Sequence, residues 1–124
     1  MGSKEKGTHM DHTISAAEMA RSARMNAHLD EEEIIKFANS KENLNEIRDT
    51  VNMAKGDTST TDFLDNTNSK GQTAQEVHNI TEKEERQLRE KDKEAREKEE
   101  EVIQQGEQRS IETGKKSRKE EAVR

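Results

Sequence analysis

Residues 30–56 read DEEEIIKFANSKENLNEIRDTVNMAKG, and the fold class turns on whether this stretch is one helix. Asp30 and Glu33 have the spacing of a capping box, with Leu29 and Ile34 placed as a hydrophobic staple. Three acids in the first turn complement the helix dipole. Phe37, Leu44 and Val51 then recur every seven residues, with Ile47 and Ala54 in the intervening layers and Ser40 as the one polar member. Ile34 and Ile35 widen the stripe at one end. Lys55 followed by Gly56 is a conventional stop, so the periodicity predicts a helix over residues 31–55.

Toward the N-terminus, Ser15 and Glu18 form a second capping box, with Ile14 and Met19 as its staple. The helix it opens is expected to reach about His28. Ala16, Ala20, Ala23 and Ala27 lie at helical spacing along it, a stripe of small residues that permits close approach by another helix, and Met19 and Met25 add apolar surface. Residues 1–10, MGSKEKGTHM, have the form of an appended leader, with Met10 as the native start.

Toward the C-terminus, residues 57–72 are rich in Gly, Asp, Asn, Ser and Thr and predict a flexible linker, interrupted by the apolar pair Phe63-Leu64. Thr73 and Glu76 make a third capping box, opening a run without Gly or Pro to Gln105. Its seam holds Thr81, Leu88, Ala95 and Val102, but three of the four alternate positions are charged (Glu84, Lys91 and Lys98), which argues against a dimeric coiled coil. Acid-before-base pairs such as Glu82 with Arg86 and Asp92 with Arg96 support the helix by about 0.2–0.5 kcal/mol each. Residues 107–124 are expected to be a disordered tail. The predicted class is all-α: an amphipathic helical hairpin over 11–56, a flexible linker over 57–72, a long charged helix over 73–106 and the tail, with the chain partly disordered when alone.

Charged residues make up 40% of the 124 residues against 26% hydrophobic, which limits any core. Phe37 and Phe63 are the only aromatics, too few for the aromatic-lined cleft of a typical enzyme, so no catalytic activity is expected. The absence of Cys removes disulfides, thiolate metal sites and thiol nucleophiles, and no metal or cofactor site is expected from His9, His12, His28 and His78. Residues 57–68 echo a calcium loop but lack its central Gly and terminal Glu. Asn79-Ile80-Thr81 matches a glycosylation triplet without an export signal. A net charge of −6 argues against nucleic acid as partner, and the basic cluster Lys115-Lys116-Ser117-Arg118-Lys119 is diluted by neighbouring Glu residues. No apolar run approaches the roughly 20 residues needed to span a bilayer, so direct membrane insertion is not expected and a cytoplasmic location is.

Two helices of about 13 and 25 residues leave some 18 Å of the second without cover from the first, at roughly 1.5 Å per residue. Exposed apolar surface at that spacing marks a partner site. The expected partner-binding residues are Met19, Ala23, Ala27, Ile34, Ile35, Phe37, Leu44, Ile47 and Val51. They point to a protein-binding chaperone or adaptor that supplies amphipathic helices to a heteromeric bundle, with another protein or a second copy as partner. A structural role for residues 73–105 as a charged spacer or coiled-coil scaffold is the alternative, and an acidic nucleic-acid mimic ranks third.

In character, residues 11–56 of this small, acidic, Cys-free chain resemble the small acidic secretion-system chaperones of the IcmR type, from Dot/Icm type IV systems. The resemblance implies a hairpin that packs against helices of its client and prevents client self-association or premature membrane insertion.

Overall fold

The computed structural model describes residues 7–123, with side chains described through residue 113. Residues 1–6 of the expected leader, Arg124 of the tail and the side chains of the basic cluster at 115–119 lie outside the described residues. In chain order the elements are β1 (Thr8–His12), α1 (Ala16–Arg21), α2 (Ala23–His28), α3 (Glu31–Ala38), β2 (Leu44–Arg48), α4 (Asp49–Lys55), α5 (Thr60–Asp65), α6 (Ala74–His78) and α7 (Glu82–Val123).

The expected all-α class is overturned by an antiparallel pair of strands. β1 and β2 run in register from Thr8 opposite Arg48 to His12 opposite Leu44. The ladder continues past both ends, with Asp49 N donating to Gly7 O at 2.9 Å and Thr13 N to Asn43 O at 2.8 Å. The alternation of the pleat puts buried Asp11 and buried Ile47 on one face. β1 begins at Thr8, inside the stretch that reads as leader.

The helix predicted over 31–55 is therefore three elements. Its first part stands as written: Asp30 Oδ1 accepts from Glu33 N at 2.8 Å and Glu33 Oε1 accepts from Asp30 N at 3.0 Å. It stops at Ala38 because the next seven residues include Asn39, Ser40, Asn43 and Asn45, whose side chains compete for backbone groups. Ser40 Oγ donates to Phe37 O at 2.7 Å, and Asn43 N and Leu44 N both donate to Ser40 O, closing a turn. Asn43 is fully buried. Its Oδ1 accepts from Ile14 N at 2.8 Å, while its Nδ2 donates to Ile14 O at 3.2 Å and Ala38 O at 3.0 Å. One amide thus joins the start of α1 to the end of α3.

The first predicted helix is also divided. Ser22 adopts extended angles between α1 and α2, and its hydroxyl caps α2 by accepting from Met25 N at 3.2 Å. Asn26 Nδ2 holds the break by donating to Met19 O at 2.9 Å and Ser22 O at 2.8 Å. The expected flexible linker contains α5, fastened by Thr60 N to Thr13 O at 2.9 Å and Ser15 N to Ser59 Oγ at 2.9 Å, with Leu64 buried.

Two apolar clusters form the core. One holds Ile14, Met19, Met25, Leu29 and Phe37, and the other holds Ile47, Val51, Leu64, Ala74 and Ile80. Both are completed by α7, which places Leu88 in the second cluster and Ala95 and Ile103 in the first. From Leu88 to Ile103 is about 22 Å of helix, so one element spans the length of both. The helix does not end at Gln105. It runs through Gly106, where a Cβ would stand 2.7 Å from His28 O and 2.7 Å from Leu29 Cδ2, so this glycine is a point of close approach between α7 and the α2–α3 corner. Residues 107–113, expected in the disordered tail, continue the helix.

Candidate functional site

An apolar concavity lies between α1–α2 and α3. α3 contributes Glu31, Ile34, Ile35 and Ala38, the spacing that lines one face of a helix. The opposite wall is Ala16, Met19 and Ala20 of α1 with Asn26 and Leu29 beyond, and the space between is about 510 Å³. Ile35 is 51% exposed and Ile34 half-buried, whereas Met19 closes the floor at 2%. Small side chains at Ala16, Ala20 and Ala38 keep the groove open.

The groove walls are tied to α7 by arginines. Arg109 of α7 forks onto Glu33 of α3 with two contacts of 2.8 Å, and its Nη2 also donates to His28 O at 3.1 Å. The hydrogen bond from Arg109 holds the Glu33 carboxyl below the usual carboxylate range, and the bond from the Asp30 amide adds to the effect. On the α1 side, Glu18 accepts from Ser59 Oγ at 2.6 Å and from both terminal nitrogens of Arg96. The Arg96 hydrogen bond lowers the Glu18 pKa against the opposing effect of burial. Arg24 of α2 forks onto Glu100 and Glu107 at 2.9–3.0 Å. Three guanidinium clamps therefore tie both walls to α7.

A second, polar cavity of about 190 Å³ adjoins β1, lined by Asp11, His12, Ser15, Asn52 and Asp57 among others. Beneath it Lys55 Nζ donates to Asp11 Oδ1 at 3.1 Å and to His12 O at 2.9 Å, with both charged groups buried. Lys55 also lies 3.0 Å from Asp11 Oδ2, yet that oxygen accepts no hydrogen bond, the ammonium lying off the hydrogen-bonding direction. Burial pushes the Asp11 carboxyl up, and the ammonium opposes this only in part. Lys55 is engaged by two oxygens and serves as a tie between β1 and α4. Among the described residues no group of three or more His, Asp or Glu is arranged to hold a metal, and no helix is long and apolar enough to cross a membrane.

The structure brings three of the expected partner-binding residues, Met19, Ile34 and Ile35, into the groove. Ala23 and Ala27 are exposed on α2 and do not line it. Phe37 packs inward in the first cluster, Ile47 and Val51 are buried in the second, and Leu44 is half-buried in β2. The uncovered length of helix expected at Leu44, Ile47 and Val51 does not exist, because the chain turns back as a strand and α4 before it can extend. Sequence reasoning missed Ala38 and Leu29 as wall residues and Glu31 as the groove's one charge, although Ala38 lies one turn beyond Ile34. Comparison with known proteins finds no matching family model, no matching curated protein and no matching solved structure.

Proposed function

We propose that this protein is a non-enzymatic binding adaptor of the cytoplasm that seats an amphipathic helix of another protein between α1 and α3, keeping that partner soluble or blocking its self-association. The observation that carries the reading is Ile35, half-exposed beside Ile34 in an apolar groove whose walls are clamped to α7. An apolar concavity rimmed by polar residues is a form that protein–protein sites take. A third helix laid on α1 and α3 completes a small heteromeric bundle. α3 has eight residues and is about 12 Å long, so it can support two to three turns of a partner, an interface at the small, transient end of the range. The resemblance to small acidic secretion-system chaperones points to a client of the same kind.

The test is a pull-down from native extract with wild type and Ile35→Asp in parallel, read by quantitative mass spectrometry. Ile35 is exposed, so the variant keeps the fold and is expected to lose a defined helical client. Identical recoveries from both would remove the groove from the reading.

The spacer alternative rests on α7, whose 42 residues extend about 63 Å. Its last described hydrogen bonds to the remainder of the fold are from Arg109 and Ser110, the latter 3.0 Å from His28 Nδ1. A spacer over residues 73–105 tolerates changed residues but not changed length, whereas Leu88, Ala95 and Ile103 are core positions there.

A further inference from the structure

We infer that the groove's occupant is a basic amphipathic helix, an apolar stripe flanked within one turn by Lys or Arg that pairs with Glu31. This rests on the groove being the binding site. Of the charged side chains around it, Glu31 alone lines the space, and it makes no ion pair among the described residues. Two of the nearby cations are engaged elsewhere: Arg24 is held by Glu100 and Glu107, and Arg109 by Glu33. Asn26, the other polar wall residue, has its amide nitrogen on the carbonyls of Met19, Ala20 and Ser22.

The N-terminal end of the groove is therefore acidic in excess of what the fold itself balances. Asp30, Glu31, Glu32 and Glu33 bring four carboxylates to the first turn of α3. Against them stand Arg109 and the positive helix end, equivalent to roughly +0.5 charge. A partner with a neutral or acidic flank leaves Glu31 partly desolvated without compensation, whereas a Lys or Arg there gains a charge-assisted hydrogen bond. The small residues Ala16, Ala20 and Ala38 leave room for one long apolar side chain against Ile35.

The experiment uses three synthetic peptides of about 14 residues, near the minimum for helix formation, with the same Leu stripe and with Lys, Gln or Glu at the polar positions. Each is titrated into the full chain labelled for amide NMR. All three are expected to shift Ile34, Ile35 and Ala38 amides, the Lys peptide binding about three to five times tighter than the Gln peptide and the Glu peptide weakest. Glu31→Gln is expected to remove that preference, and Ile35→Asp to weaken the Lys and Gln peptides alike by about tenfold or more. Equal binding of the Lys and Gln peptides overturns the basic partner while leaving the groove intact. A preference that survives Glu31→Gln overturns it too, since the net charge alone then attracts the peptide. If no peptide shifts the groove amides, the groove reading itself fails.

Discussion

Replacing Gly106 with Ala sets two effects of opposite sign against each other. In an exposed helix interior the change stabilises by roughly 1 kcal/mol, because Gly is the costlier helix former. Here the added methyl would sit 2.7 Å from a backbone carbonyl and 2.7 Å from Leu29 Cδ2, where ordinary contact is 3.4–4 Å. The carbonyl of His28 cannot rotate aside, since α2 ends there and Arg109 holds the same oxygen. Overpacking of this kind typically costs about 1–3 kcal/mol, so the net expectation is a loss of about 1 kcal/mol. Urea unfolding followed by circular dichroism reads it as a lower midpoint at unchanged slope. Gln105→Ala, on the exposed face one residue earlier, is the control and is expected to change stability by no more than about 0.5 kcal/mol. A Gly106→Ala variant more stable than wild type would mean that α7 does not touch the α2–α3 corner, and the close approach described above would be refuted.

Lys55→Met strands the buried Asp11 carboxylate and is expected to cost about 3–5 kcal/mol in thermal or urea unfolding, most of it regained in the double variant with Asp11→Leu. Asn43→Ala removes the side-chain partner of two buried backbone groups of Ile14 and one part-buried group of Ala38, and a loss of at least about 2 kcal/mol is expected on the same assay. Glu18 has its folded pKa lowered by Arg96, so its contribution is present above the ordinary value of 4.5 and is lost as pH falls through the folded value; the stability gap between wild type and Glu18→Gln should close with acidification, and a gap that widens would contradict the clamp. Leu88→Ala removes a side chain buried in the second cluster and should cost about 2–5 kcal/mol, where a solvated spacer helix would show almost no change.

What could be read from the chain was local. The capping boxes at Asp30 and Thr73 form as written, and Ser15 Oγ accepts from Glu18 N at 3.0 Å, because each needs only residues three apart. The strands were illegible for the opposite reason. β1 pairs with β2 across some thirty intervening residues, and β2, Leu44-Asn45-Glu46-Ile47-Arg48, has apolar residues three apart, a spacing that fits a helix as well as a strand. The seven-residue recurrence of Phe37, Leu44 and Val51 is real, but Phe37 enters the first cluster from α3, Val51 the second from α4, and Leu44, half-buried in β2, enters neither. In α7 the seam Leu88-Ala95-Val102 is visible in the sequence, and its charged alternate layer argues against a dimeric coiled coil without saying what the helix packs on. Glu84 of that layer instead meets Arg48 of β2 at 2.8 Å, and Lys91 donates to Lys41 O at 2.6 Å. Of the groove, Met19, Ile34 and Ile35 followed from amphipathic spacing. Its walls at Leu29 and Ala38 and its single charge, Glu31, depend on how α1, α2 and α3 converge, which no one helix specifies.

The completion of both clusters by α7 sets an order of events during synthesis. Ile14 emerges about 90 residues ahead of Ile103, which at roughly 5–20 residues per second is a wait of about 4 to 18 seconds. Through that interval Met19, Met25, Leu29 and Phe37 have no lid, so the nascent chain is at its stickiest while it is still being made. Translation speed over codons 82–106 thus becomes a determinant of yield, and slowing it should raise the share of insoluble product without altering the finished fold.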